Sequence, residues 1–451
     1  MSMSPRLRPA AAVAAGAALA LVVSACSSSS SGSKGGGATG GSTSGANKAS
    51  APGVTATTVT IGATDPLTGP AAPGYSEIPV AAQAYFSYAN ANGGVYGRKV
   101  ALKYLDDAYN PAQTLTLTKQ LVLQDKVYAV VGALGTPTHT KVVDFLNSER
   151  VPDLFVASGC SCWDQPSQHP YTFGWQPDYI VEGKILGQYI SKTYAGKKVA
   201  YFYQDDDFGK DGLKGLDKYI DQSLVVSRQP YEPGNTDVTA QVSAIARAKP
   251  DVVVLFTIPA YTALFKLTSL KLGFSPTMVV SNVGSDPITL SGLLEAYAKQ
   301  GGATVNGSQL IEGVVTDAYL PSLGDTSNSW IALFKKVHDQ YAPKLPFDGN
   351  VVYGMAYAYT FLQALKAAGQ NPTRQSIVDA VAKGGLTGPG LVPYRYSKDS
   401  HAGFIGVQIG TIKSGAIVVT GTPMTTDDGS GAITPYTTAQ QAAPANGIPA
   451  G

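Results

Sequence analysis

Histidine and cysteine are scarce in this sequence, at four and three of 451 residues. His139, His169, His338 and His401 are scattered and show no metal-ligand spacing, so no metal site is expected. Charge is also sparse: Asp, Glu, Lys and Arg make up 14% of the chain and the formal net charge is +2. Lys and Arg form none of the clustered patches that nucleic-acid binding requires. Catalytic signatures are missing too. No G-x-S-x-G, Walker or dinucleotide glycine pattern falls at a strand-to-helix junction. "DDDFGKDG" resembles a calcium loop, but Gly209 stands where a ligand is needed and no glutamate closes it. Neither an enzyme nor a cofactor is expected. After the first residues no apolar run reaches the roughly twenty that a spanning helix needs, so the folded part is expected to be soluble.

The N-terminus follows another logic. Arg6 and Arg8 precede an apolar stretch from Ala10 to Val23, which is short for a membrane span but suits the core of a signal peptide. "VSAC", Val23 to Cys26, resembles the bacterial lipoprotein motif, and that resemblance implies cleavage before Cys26 and a diacylglycerol on its thiol. A plain secretory signal cut near Ala25 is the alternative. The Ser/Gly-rich segment that follows has almost no apolar side chains and reads as a flexible tether over 26–56. The protein is expected outside the cell membrane, held by its lipid at the bacterial surface or in the periplasm.

From Thr57 the pattern is apolar strand, turn, amphipathic helix, repeated. "VTIGATD", "KVALKYLD", "YAVVGALG" and "VPDLFVASG" read as strands, with helices between them. A second round begins near Pro177 with strands "KKVAYFYQ", "LVVSRQPYE", "DVVVLFTIP" and "TMVVSN". Near-continuous apolar runs of this length predict parallel sheets covered on both faces, and hence two α/β lobes. After Leu320 the chain turns helical. "GFIGVQIGTIKSGAIVVTG" reads as a hairpin, and residues 422–451 as a polar, frayed tail.

In open parallel sheets ligands sit where strands end and helices begin. "GALGTPTHT" offers Thr136 and Thr138 at such a junction, and "VASGCSCW" offers Ser158 and Gly159. Hydroxyls and unpaired N–H groups at a helix start favour a carboxylate, although Thr136 could equally be an N-cap. Cys160 and Cys162, one residue apart, are either a tight disulfide or two free thiols.

"IGATDPLTGPAAPGY", "ANANGGVYGRKV", "LDDAYNPAQT" and "VVGALGTPT" together resemble the type I periplasmic binding proteins of the leucine/isoleucine/valine-binding family, the extracellular receptors of ABC importers. The resemblance runs from about Thr57 to about Gly421. It implies two doubly wound parallel-sheet lobes joined by a three-crossover hinge, with 57–176 and 320–393 in lobe 1 and 177–319 and 394–421 in lobe 2. It implies a monomer that closes on a small ligand and delivers it to ABC permease subunits. The family's carboxylate-holding positions fall on Thr136, Ser158 and Gly159. Tyr75 contacts the ligand from lobe 1, while Phe208 and Ile258 do so from lobe 2. A cysteine pair found in some relatives falls on Tyr109 and Gly135, so both halves are absent. The acidic residue that meets an amino acid's ammonium falls near Val283, with Asp286 the nearest substitute and Asp205 to Asp207 further candidates. The expected ligand is a small, mostly apolar carboxylate walled by Ile258, Phe208, Val283 and Trp163. The alternatives are a branched-chain amino acid with Asp286 as counter-ion, or a ligand-sensing receptor without transport.

Overall fold

The computed structural model describes residues 46–449. The expected signal peptide, the lipid-bearing Cys26 and most of the expected tether lie outside the described residues.

The first sheet contains β1 (Thr58–Asp65), β2 (Lys99–Asp106), β3 (Val130–Val131), β4 (Asp153–Val156) and β5 (Thr172–Gly174), in the order β2-β1-β3-β4-β5 and parallel throughout. The second contains β6 (Val199–Gln204), β7 (Val225–Tyr231), β8 (Val252–Phe256), β9 (Thr277–Val280) and β10 (Val315–Ala318). It is completed by β11 (Gly406–Lys413), β12 (Ala416–Val419), β13 (Met424–Thr425) and β14 (Thr434–Pro435), and β11 runs antiparallel to β10. "VVVLF" in β8 is buried at every position, as a strand covered by helices on both faces must be. Two of the late helices, Ser329–Tyr341 and Gly349–Ala367, return to pack on Ile78–Ala91 beside the first sheet.

Three chain crossovers join the two lobes, and they hydrogen-bond to one another. Phe404 N donates to Trp175 O at 3.0 Å and Leu391 N to Tyr319 O at 2.8 Å. Trp175 is fully buried at their centre, edge-on to Tyr319, Tyr353 and Phe404.

Both chain ends depart from the sequence expectation. The segment from Ala46 to Ala56, assigned to the tether, docks on lobe 1. Buried Arg98 requires acceptors, and the carbonyls of Lys48 and Thr55 supply them at 2.9 and 2.7 Å. The tail expected to fray is bound to both lobes. On lobe 2, the buried Lys184 ammonium is caged by Thr426 Oγ1, Asp427 O and Gly431 O at 2.7–2.9 Å. On lobe 1, Tyr85 donates to Gly447 O and the Trp330 indole to Gln441 O, each at 2.7 Å. Composition hid both because most of the tying groups are backbone carbonyls, which every sequence has.

Candidate functional site

The ends of β3, β4, β6, β8 and β10 converge on the seam between the lobes. Helix Tyr179–Thr193 begins there, capped by Asp178, whose carboxylate accepts from Ile180 N at 2.6 Å. It packs backbone to backbone on helix Asp207–Leu216. A Cβ at Gly183 would stand 2.3 Å from Gly212 O, and one at Gly215 2.3 Å from Ile180 O. This close approach brings the Tyr179 and Phe208 rings to 4.6 Å between centroids.

The seam encloses a cavity of about 160 Å³. From lobe 1 its wall includes Tyr75, Ile78, Tyr109, Leu134, Thr136 and Tyr353; from lobe 2, Phe208, Ile258, Val283 and Asp286. Gln176, Tyr179 and Tyr319 line it from the crossovers. Among the described residues the wall carries two acids, Asp286 and Asp317, and no Lys, Arg or His. The lobes are latched around it. Tyr75 Oη donates to Val283 O at 2.6 Å, Gln204 Nε2 to Tyr109 Oη at 3.2 Å, and Ser161 N to Asp211 at 2.9 Å.

Of the residues singled out in the sequence, Tyr75, Thr136, Phe208, Ile258, Val283 and Asp286 reach the cavity wall. Ser158 and Gly159 lie behind it. Thr136 does not act as an N-cap: Gly135 occupies that position, and the Thr136 hydroxyl bonds the Ser158 hydroxyl at 2.6 Å. Over this pair and the Gly159 N–H sits the Tyr179 phenol, its ring so close to Gly159 that a Cβ there would be 2.9 Å away. Burial pushes this phenol up, and the Gly159 N–H, Ser158 and Thr136 offset part of that rise. Gln176 Nε2 also donates to the Tyr179 oxygen, at 3.2 Å. The place expected for a ligand carboxylate is therefore roofed by the protein's own hydroxyl. Trp163 is not part of the wall. It is buried against Val143, Val156 and Cys160, edge-on to His139, because the short turn Ser161–Trp163 that carries it packs on that apolar cluster and not on the cavity. Cys160 and Cys162 are bridged. Tyr109 and Gly135 do meet: a Cβ at Gly135 would lie 2.6 Å from the Tyr109 ring, which occupies that space.

Asp286 forms part of the cavity wall and also bridges the lobes. Its Oδ1 accepts from Thr289 N at 2.8 Å, capping helix Pro287–Gln300, and its Oδ2 accepts from Gly349 N of lobe 1 at 2.9 Å. Burial and then the charge of Asp348 raise its carboxyl to about 6. Asp348 is itself raised to about 7, by burial and then by Glu77. Asp205 to Asp207 are absent from the wall; Asp206 caps helix Asp207–Leu216 and Asp205 pairs with Lys210. A second acid pair was not visible in the sequence. Glu182 and Asp317 share Asn282, whose amide donates to them at 2.8 and 3.1 Å. Burial, then Glu182, holds the Asp317 carboxyl well above the usual range. The two acids lie on different elements, so only the fold brings them together. Tyr179 had a weak local signal, as the first helical residue after the Asp178 cap.

A family model described as periplasmic binding protein matches residues 58–416. The Leu/Ile/Val-binding protein homolog 3 of Brucella melitensis is 30% identical over 202 residues, 43% of this chain and 53% of that protein. The chain thus spans about half the length of the curated relatives it matches. Among solved structures, a branched chain amino acid ABC transporter from Thermus thermophilus with bound valine superposes with a TM-score of 0.70 at 20% identity, over 82% of this chain and 97% of that one. A fatty acid ABC transporter substrate-binding protein from Thermomonospora curvata gives 0.69 at 22% identity, over 83% and 94%. At such identities the likeness is one of fold. Together with the matched motifs and the two-lobed architecture, these findings show that the chain belongs to the periplasmic binding proteins, in the type I leucine/isoleucine/valine-binding family.

Proposed function

We propose that this protein is the extracellular, lipid-anchored substrate-binding component of an ABC importer, closing on a small, mostly apolar ligand whose protonated nitrogen meets Asp286. The observation that carries this reading is the charge inventory of the cavity: aromatic and aliphatic walls, two acids and, among the described residues, no cationic side chain. A desolvated anion there would face carboxyl groups without a counter-charge, whereas an ammonium would find one. A cavity of about 160 Å³ suits one small branched or ring-sized group, since a space of roughly 150 Å³ accepts benzene. The proposed chemistry is capture and release. Contacts from both lobes favour the closed form once the ligand is seated. A permease pair would read that form as a monomer delivers its cargo, and two acyl chains on Cys26 would keep the receptor nearby.

A second reading, a small carboxylate or a branched-chain amino acid, is favoured by the Thr136, Ser158 and Gly159 donors and by the name of the Brucella relative. It requires the Tyr179 hydroxyl to leave them. A thermal-shift comparison of 3-methylbutylamine, 3-methylbutan-1-ol, 3-methylbutanoate and leucine separates the readings, because a ligand that binds only the native state raises Tm. The amine is expected to give the largest rise. A larger rise with the acid would transfer the polar end to the Thr136 side, and no rise with any probe would remove the receptor reading. Uptake of the winning probe by cells with and without the gene then distinguishes import from sensing.

A further inference from the structure

The donors at the end of β3 and β4 are those a carboxylate would seek, yet a side chain of this protein lies on them. The Tyr179 ring packs on Gly159 and against Phe208 of lobe 2, and its oxygen accepts from Gln176 Nε2 at 3.2 Å. Its backbone is fixed as well. Tyr179 N donates to Gly159 O at 2.7 Å, and the Asp178 cap sets the first turn of the helix that carries it. Moving the phenol away would strip the Gln176 bond and the ring contacts together. The Tyr179 side chain is 3% exposed and forms part of the cavity wall, so its hydroxyl occupies space that a ligand's polar end would otherwise enter.

We propose that Tyr179 sets the ligand class of this receptor: seated over Thr136, Ser158 and the Gly159 N–H, it bars carboxylates and leaves Asp286 as the polar anchor of the cavity. This rests on the ligand reading given above and sharpens it. The Tyr179 oxygen already accepts from Gln176 and its ring fills the space beside Gly159, so a carboxylate arriving here is kept from the donors behind the phenol and loses its water. With a short side chain at this position, the Gly159 N–H and the one hydroxyl proton that the Thr136–Ser158 pair leaves free would converge on an open space, which is the arrangement that holds an oxyanion. Specificity then comes from an occupied subsite rather than from a missing one.

The test is isothermal titration of the wild-type protein, Tyr179→Ser and Tyr179→Phe with 3-methylbutanoate and 3-methylbutylamine. The ratio of acid to amine affinity is expected to rise by at least about tenfold in Tyr179→Ser, equivalent to ~1.4 kcal/mol. Tyr179→Phe, which keeps the ring and removes only the oxygen, is expected to shift the ratio in the same direction by a smaller factor. Adding Thr136→Val to Tyr179→Ser should abolish the gain, tying it to these donors rather than to a looser cavity. Should Tyr179→Ser fail to fold, the phenylalanine variant decides alone. An unchanged ratio in the folded variants overturns the role of Tyr179 and leaves the receptor reading intact if the wild type binds the amine. A wild type that binds neither probe overturns the receptor reading, and this inference with it.

Discussion

Tyr75 shows how a single hydroxyl can report on closure. It belongs to lobe 1, it bonds a carbonyl of lobe 2 at 2.6 Å, and its ring forms part of the cavity wall. Tyr75→Phe keeps the ring and deletes the bond. A hydrogen bond of this kind contributes about 1 kcal/mol, so ligand affinity should weaken roughly fivefold while the fold is retained. Calorimetric titration measures the first and circular dichroism checks the second. The acids at the seam carry a pH signature. Asp286 at about 6 and Asp348 at about 7 both lie above the ordinary 3.8, chiefly through burial. A carboxyl raised in the native state binds more protons there than in the unfolded chain between those values. Stability therefore falls as pH rises from about 4 through about 7. The ligand-free Tm should be higher at pH 5 than at pH 8, and Asp348→Asn should flatten that slope. An ammonium at Asp286 would replace the proton, so the amine-bound protein should also show a shallower slope. At this scale the sequence was a partial guide. The strand-end reading pointed to Thr136 and the family resemblance to Tyr75, Phe208, Ile258 and Asp286, and all five lie on the cavity wall. Neither could show that Tyr179 roofs Thr136, since that depends on two helices touching.

That touching is an element-scale matter. Helices Tyr179–Thr193 and Asp207–Leu216 meet where glycines stand on both sides, and the closeness of their axes positions Tyr179 against Phe208. Gly183→Ala would thrust a methyl group into Gly212 O, and backbone cannot yield as a side-chain tip can. Overpacking of this kind costs about 1–3 kcal/mol. The expected outcome is a lower midpoint in urea with an unchanged slope, together with weaker ligand binding as Tyr179 is displaced. The strands were legible because buried parallel strands must be apolar at every position, as in β8. The stretch "TPTHTKVVDFLNSER" after β3 forms two short helices, Thr136–His139 and Val143–Ser148. The first ends after one turn, where the buried His139 imidazole turns in to bond Asp153 at 2.9 Å.

For the whole molecule, two lobes and three crossovers follow from alternating patterns and the family motifs, and the structure adds ties that polar composition concealed. Residues 426–447 run from the Lys184 cage on lobe 2 to Tyr85 and Trp330 on lobe 1, so the lobes are joined by more chain than the three crossovers. The central claim is that a small ligand lies between the lobes and holds both. Hydrogen–deuterium exchange with and without saturating 3-methylbutylamine tests this most directly, since it reads each lobe separately. The account predicts slower exchange at once in residues 134–137 and 349–353 of lobe 1 and in residues 256–262 and 282–289 of lobe 2. Protection confined to one lobe, or none in either, would contradict it.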